Sequence, residues 1–339
     1  MIGGHGNDLY AFGGKIKADF SSNVAYNNAS AEIMAYLGTQ LNRIVNYPDP
    51  EARELVRKIA LHHGVNVENV FVTNGSTQAF YLLAHYFSKK KTVIAYPGFA
   101  EYEDACRLYG HELSFVPISQ LFGCDFSETD TVWWGNPNNP DGTLTSSENV
   151  KNVCERYPDT VFIIDAAYAE LCPSCENMVP LQQDFLNLVT VHSLTKAFAV
   201  PGLRLGYLIG DEKLIAGISS LGIPWSVNAL AQEAGIYIMD NYDDLMPDVN
   251  ALCDESAALQ RQLSHIVQLE ISPSACTFFL VKMNAGTAPE LKHFLVEKQR
   301  ILIRDASNFR GLSPWHFRLS VQGEENNAQL VAGFENYFG

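Results

Sequence analysis

The sequence predicts an α/β protein: a doubly wound large unit followed by a smaller α+β unit. Three observations predict it. Between about residues 51 and 210, short uninterrupted apolar runs alternate with amphipathic stretches, as expected for parallel strands buried on both faces and connected by helices. After about residue 235, long helical stretches instead surround a few isolated strand candidates. The 339 residues are 47% hydrophobic and 18% charged, ordinary for a folded chain that buries a large core.

Taken in order, Ala52, Leu55, Val56, Ile59 and Ala60 recur at helical spacing and predict an amphipathic helix. Residues 69–73 (NVFVT) read as a short strand and residues 77–87 as the helix after it. Further strands are predicted at 92–96 (TVIAY), 112–116, 131–134, 161–165 and 188–192. In the second unit, 277–283 (TFFLVKM), a segment beginning near Arg300 (RILIR) and 316–321 (HFRLSV) read as strands. Leu330, Val331, Phe334 and Phe338 predict a closing amphipathic helix.

Lys plus Arg number 23 against 38 Asp plus Glu, a formal charge of −15. That balance argues against nucleic acid and against an anionic membrane surface, both of which need a basic face. The acidity reads as a solubilising surface. No apolar run reaches the ~18 residues of a membrane span. The N-terminus lacks the basic and apolar regions of a signal peptide, and the seven scattered cysteines suit reduced thiols. The expected location is therefore the cytoplasm. Cys172-Pro173-Ser174-Cys175 is a lone CxxC with no second pair at zinc spacing, and is read as an incidental loop, with no metal site expected.

The chemistry-bearing residues cluster after predicted strands. Lys196, in Ser193-Leu194-Thr195-Lys196, has almost no charged neighbours until Arg204, and a lysine among apolar residues is a candidate amine nucleophile. Asp165 ends an apolar strand, at the edge where open α/β sheets bind ligands. It precedes Lys196 by about one strand-helix-strand unit, so the two strand ends can lie side by side. A carboxylate and a poised lysine at one sheet edge suit pyridoxal phosphate: the lysine forms the Schiff base and the aspartate keeps the ring nitrogen protonated. Asn74-Gly75-Ser76-Thr77, between strand and helix, can hold a phosphate on a helix N-terminus, or act simply as a cap. Asn136-Pro137-Asn138-Asn139-Pro140-Asp141-Gly142 is either a turn or a rigid loop that fixes an amide against the ring oxygen. Phe99, in Tyr96-Pro97-Gly98-Phe99, is either a core residue or a ring that stacks on the cofactor.

Together these motifs resemble the fold-type I pyridoxal-phosphate enzymes of the class I/II aminotransferase superfamily, over nearly the whole chain. The strongest matches are Ser193-Leu194-Thr195-Lys196 with Pro201-Gly202-Leu203-Arg204-Leu205-Gly206-Tyr207, then Asn138-Asn139-Pro140 and Asn46-Tyr47-Pro48-Asp49. Within the superfamily the chain is most similar to the threonine-phosphate decarboxylases and the histidinol-phosphate aminotransferases. The resemblance implies a mostly parallel seven-stranded sheet in a large domain at 31–235, a small α+β domain at 236–339, and an N-terminal segment at 1–30 that packs on the active site. It implies that Lys196 carries the cofactor, Asp165 pairs with the ring nitrogen, Asn139 and Tyr168 bond the ring oxygen, and Phe99 stacks on the ring. Gly75, Ser76, Thr77, Ser193 and Arg204 would hold the cofactor phosphate. Tyr47 would reach that phosphate from a neighbouring subunit, implying a homodimer. Arg318, in Phe317-Arg318-Leu319-Ser320, would bind an anionic group of the substrate.

Four segments favour the decarboxylase type: Pro97 to Tyr102, Pro224 to Leu230, Arg300 to Arg304 with Asn308, Phe309, Gly311 and Leu312, and His5-Gly6-Asn7 ahead of Asp19 to Asn23. By that similarity His5, Gly6 and Asn23 bind substrate. Arg304 and Arg318 supply two guanidiniums for the carboxylate and the phosphate of O-phosphothreonine. The resemblance thus implies a carboxy-lyase acting on L-threonine O-3-phosphate, which supplies the cobalamin side chain. The alternative is a transaminase of the histidinol-phosphate type. Two departures stand out: Ala166 occupies a position where relatives commonly have Glu, and Gly4-His5-Gly6-Asn7 replaces their His-Gly-Gly-Asn.

Overall fold

A computed structural model describes residues 6–12, 14 and 16–339. Its strands are β1 (Ala18–Asp19), β2 (Val70–Thr73), β3 (Lys91–Tyr96), β4 (Glu112–Pro117), β5 (Thr131–Gly135), β6 (Val161–Asp165), β7 (Leu188–Ser193), β8 (Gly206–Ile209), β9 (Leu269–Ile271), β10 (Phe278–Met283), β11 (Ile301–Leu302), β12 (Arg304–Asp305) and β13 (His316–Ser320). Its α-helices are α1 (Ala29–Thr39), α2 (Arg53–His63), α3 (Gly75–Tyr86), α4 (Ala100–Leu108), α5 (Ser147–Arg156), α6 (Glu212–Ser219), α7 (Ala229–Asp240), α8 (Tyr242–Leu245), α9 (Val249–Leu263), α10 (Ala288–Gln299) and α11 (Glu324–Phe338).

Seven strands form the main sheet in the order β2-β8-β7-β6-β5-β3-β4. β4, β3, β5, β6 and β7 pair in parallel, and β8 runs antiparallel between β7 and β2. The apolar runs of β5 and β7 are buried along their whole length, as strands covered on both faces must be. Consecutive residues serve opposite layers. Trp133 packs with Phe80, Leu83 and Tyr102 of α3 and α4. Trp134 packs with Phe126, Val150 and Phe162 on the other face.

The register gathers the chemically interesting strand ends at one edge. Ser193 lies opposite Gly206, which lies opposite Thr73, and Asp165 is level with Gly135. The order reverses between β3 and β5, the switch point where such sheets leave a crevice for ligands. All six strands predicted for this unit form. The seventh, β8, is hidden in the sequence because its four apolar residues follow the turn-rich Pro201 to Leu205 without a boundary signal.

The second sheet is antiparallel, in the order β12-β13-β10-β9. One expectation is corrected here. RILIR is not a single strand: β11 pairs with β1 in a separate two-stranded ribbon, and β12 pairs with β13. The chain crosses from one sheet to the other at Ile303, and the apolar pattern of five residues cannot show which neighbour each half takes. Pairing with β1 draws residues 18–19 against this unit and carries the following Phe20 to Asn23 toward the crevice.

No helix among the described residues is long and apolar enough to cross a membrane, and none of their His, Cys, Asp and Glu form a group of three or more placed to hold a metal ion. A polar cavity of about 250 Å³, lined in part by His62, His63, Glu170, His192 and Tyr242, lies beyond Ala166. Glu170 is partly exposed as a residue, but its Oε2 is buried and has no hydrogen-bond partner among the described residues. Burial pushes its carboxyl up from 4.5 to about 7. The folded chain therefore holds a proton that the unfolded chain has released between those values, and stability falls as pH rises through that window. Glu170→Gln is expected to raise Tm by about 2–5 °C at pH 8 and to change it little at pH 5. Melting curves at the two pH values check this; equal Tm at pH 8 would contradict it.

Candidate active site

Asp165 ends β6 with its carboxylate enclosed. Its Oδ2 accepts from the Tyr102 hydroxyl at 2.5 Å and its Oδ1 from the Ala167 amide at 3.0 Å. Desolvation raises its pKa, and these two bonds and the charge of Lys196 oppose that rise. Lys196 follows β7 by three residues. Its carbonyl accepts from the Ala25 amide at 3.0 Å, which ties the N-terminal segment to the lysine loop. Its Nζ stands 5.6 Å from the centre of the Tyr168 ring. Tyr168 itself is buried and packs edge-on against Phe278 of β10.

Beside them β2 gives way to α3, whose first residue, Gly75, has φ +77°. A Cβ there would lie 2.5 Å from Nη2 of Arg204, and a Cβ on Gly206 would lie 2.6 Å from the Ser76 amide nitrogen. Both glycines let charged and polar groups close on the start of α3. Arg204, also left-handed at φ 56°, is braced by donating from Nη1 to the Pro201 carbonyl at 3.0 Å. Ser193 Oγ is within 2.8 Å of Thr195 Oγ1. A helix N-terminus, hydroxyls and a guanidinium at one strand edge make a site for a phosphate.

The second cluster comes from the antiparallel sheet. Arg304 and Arg318 are directly opposite each other on β12 and β13, and both are buried. Arg318 donates from Nη1 to Asn139 Oδ1 and from Nη2 to the Ser21 carbonyl, both at 2.5 Å. Its Nε has no partner among the described residues. Arg304 donates from Nη2 to Asn308 Oδ1 at 2.9 Å and from Nη1 to the Asp305 carbonyl, and lies 5.2 Å over the Phe309 ring. Burial lowers the pKa of both, and the charge of Arg318 helps bring Arg304 to about 10. Like charges directly opposite across a strand pair repel, so two buried guanidiniums in register favour an anion between them.

Gly6, Asn23, Phe99, Asn139, Tyr168, Lys196, Arg304 and Arg318 line one cavity of about 210 Å³. Asn23 is 2% exposed, and neither its Oδ1 nor its Nδ2 has a partner among the described residues. Gly6 is in place because its Cβ would lie 2.3 Å from the Ser21 carbonyl oxygen. Asp165, Gly75, Ser76, Thr77, Ser193 and Arg204 sit at the same sheet edge without lining that cavity. Tyr47 lies elsewhere, 83% exposed and 5.1 Å from the Trp225 ring. His5 falls outside the described residues.

Three residues lie in segments that the sequence links to the decarboxylase type, but nothing in the sequence assigned them a role in the site. Tyr102 bonds Asp165, Ser21 receives Arg318, and Phe309 lines the cavity under Arg304. Tyr102 had a signal, since it lies one helical turn after Phe99. Ser21 acts through its backbone carbonyl, which no residue pattern reveals.

The sequence matches the family described as aminotransferase class I and II over residues 17–334. It is 28% identical over 330 residues to threonine-phosphate decarboxylase of Salmonella typhimurium, covering 94% of this chain and 90% of that protein. It is 29% identical over 300 residues to histidinol-phosphate aminotransferase of a Thermoanaerobacter species, covering 85% and 83%. The crystal structure of L-threonine-O-3-phosphate decarboxylase from Porphyromonas gingivalis superimposes with a TM-score of 0.92 at 35% identity, covering 94% of this chain and 98% of that one.

Proposed function

The chain belongs to the aminotransferase class I and II family, and from that premise we propose that it is a pyridoxal-phosphate enzyme that decarboxylates L-threonine O-3-phosphate to (R)-1-amino-2-propanol phosphate. The observation that carries the substrate class is the buried, in-register pair Arg304 and Arg318 on a cavity shared with Lys196 and with Asn23, whose side chain has no partner among the described residues. A substrate with two anionic groups, a carboxylate and a phosphate, suits two forked cations.

The residues present fit the cofactor. The Asp165 carboxyl is buried and raised by desolvation, and a cationic ring nitrogen would offset that cost. The Gly75 and Gly206 positions leave the start of α3 open to a phosphate, with Arg204 over it. Asn139 accepts from Arg318 through Oδ1, which leaves its Nδ2 as the group that would donate to a ring oxygen. Tyr168 would bond the same oxygen, Phe99 would cover the ring face, and Gly75, Ser76, Thr77, Ser193 and Arg204 would hold the phosphate.

Pyridoxal phosphate, when bound, supplies an electron sink for the pair left when a bond at the substrate Cα breaks. Lys196 would hold the cofactor through Nζ and, once freed from it, would return a proton to Cα after CO2 has left. Asp165, its orientation fixed by the Tyr102 hydroxyl, would keep the ring nitrogen protonated. Arg304 and Arg318 orient the substrate so that the carboxylate is the group to leave. Asn23, with Gly6 beside it, would bind the substrate's anionic end, as would His5.

The reading includes a cytoplasmic homodimer in which Tyr47 reaches the partner's cofactor phosphate. Its support is an exposed apolar run at Leu41, Ile44, Val45 and Tyr47, with Trp225 packed on Tyr47. The seven cysteines, all free, suit a reducing compartment.

The substrate class is tested by titrating the holoenzyme with O-phosphothreonine and with threonine, following the cofactor's absorbance. The phosphorylated compound is expected to bind about 10–100-fold more tightly, the worth of one or two charge-assisted hydrogen bonds. Equal affinity would contradict the assignment.

A further inference from the structure

The segment after β12 carries groups that set the orientation of Arg304. Asn308 accepts from its Nη2, and Phe309 lies beneath its guanidinium while lining the cavity. The next residue, Arg310, turns the opposite way. It donates from Nε to Glu103 Oε2 at 3.0 Å and from Nη2 to Glu103 Oε1 at 2.7 Å. Its guanidinium carbon also sits 3.7 Å from the centre of the Phe115 ring of β4. Glu103 belongs to α4, the helix that Phe99 precedes as N-cap and that carries Tyr102, the partner of Asp165. One fork therefore joins the helix behind the cofactor-side residues to the segment that aims the substrate-side arginine.

The environment makes this pair more than a surface contact. The Glu103 side chain is 8% exposed against 41% for Arg310. Burial would raise the Glu103 carboxyl, yet hydrogen bonds from Arg310 and Arg107 hold it below its ordinary value. The segment also packs closely at Gly311, where φ is +81° and a Cβ would lie 2.6 Å from the Tyr96 ring. A two-bond fork fixes both distance and rotation, as a single point charge does not.

We propose that Glu103 and Arg310 are positioning residues: their ion pair seats the 306–312 segment so that Arg304 presents its guanidinium to the substrate's anionic group. The proposal rests on Arg304 being a substrate ligand. It differs from a purely structural bridge in what it moves, which is substrate affinity rather than cofactor retention or the chemical step.

The test uses holoenzyme variants Arg310→Ala, Arg310→Lys and Arg107→Ala, with Kd for O-phosphothreonine read from the cofactor's absorbance and kcat read separately. Arg310→Ala is expected to weaken substrate binding about tenfold with kcat little changed and the cofactor retained. Arg310→Lys, which keeps the charge without the fork, should restore part of that affinity and guards against a folding failure of the alanine variant. Arg107→Ala removes the guanidinium that reaches Glu103 only within α4, and should shift Kd by no more than about twofold. An unchanged Kd in Arg310→Ala, or a fall in kcat and cofactor retention with no change in Kd, would overturn the proposal. A parent enzyme that binds O-phosphothreonine no better than threonine would count instead against the proposed substrate.

Discussion

Lys196→Ala is expected to lower turnover by about 10⁴-fold or more, because among the described residues no other group lining the cavity can both carry the cofactor and return a proton to Cα. The other basic side chains that line the cavity among the described residues, Arg304 and Arg318, are guanidiniums that stay protonated near neutral pH. The variant should still fold, since Lys196 is only partly buried and its backbone contact with Ala25 survives the substitution. The check is steady-state turnover beside a melting curve of the same preparation. Turnover within tenfold of the parent would remove Lys196 from the chemistry, and the cavity would need another amine.

Asp165→Asn is expected to cost about 10²–10³-fold in turnover, the scale of removing one preorganised electrostatic contact. The amide keeps the size of the side chain and an acceptor for Tyr102, but it cannot hold a charge opposite the ring nitrogen. The structural prediction has the opposite sign. Desolvation raises the Asp165 carboxyl in the folded chain, so ionising it weakens the cofactor-free fold as pH rises through the raised value. The cofactor-free Asn variant should therefore be at least as stable as the parent at pH 8. Full activity in the variant, or a large loss of stability without cofactor, would mean that Asp165 serves packing and not the cofactor.

The sequence carries the cofactor side of the site more fully than the substrate side, and the reason is geometric. Asp165, Ser193 and Gly75 each lie at or just beyond the end of a strand in one sheet, so alternating apolar runs and chain order are enough to bring them to a common edge. Asn139 and Phe99 follow from the loops after β5 and β3 for the same reason. The substrate side depends on pairings across the chain. Arg304 meets Arg318 only because β12 leaves the ribbon with β1 and joins β13. RILIR has the same apolar pattern whichever sheet each half enters. The role of Ser21 rests on a carbonyl, and that of Tyr102 on a helix face completed by a strand 63 residues away. The net charge of −15 argues against nucleic acid and an anionic membrane, and taken as a whole it would disfavour any anionic ligand. It misleads because a few buried guanidiniums and one helix N-terminus, gathered in a crevice, decide local affinity whatever the outer surface carries.

The most direct measurement offers the purified holoenzyme O-phosphothreonine alone and, separately, histidinol phosphate with 2-oxoglutarate, and quantifies CO2 and glutamate. CO2 and 1-amino-2-propanol phosphate are expected in equal amounts from the first, and little glutamate from the second. Glutamate from the second mixture without CO2 from the first would contradict the proposed decarboxylation, and would make the chain a transaminase of the histidinol-phosphate type.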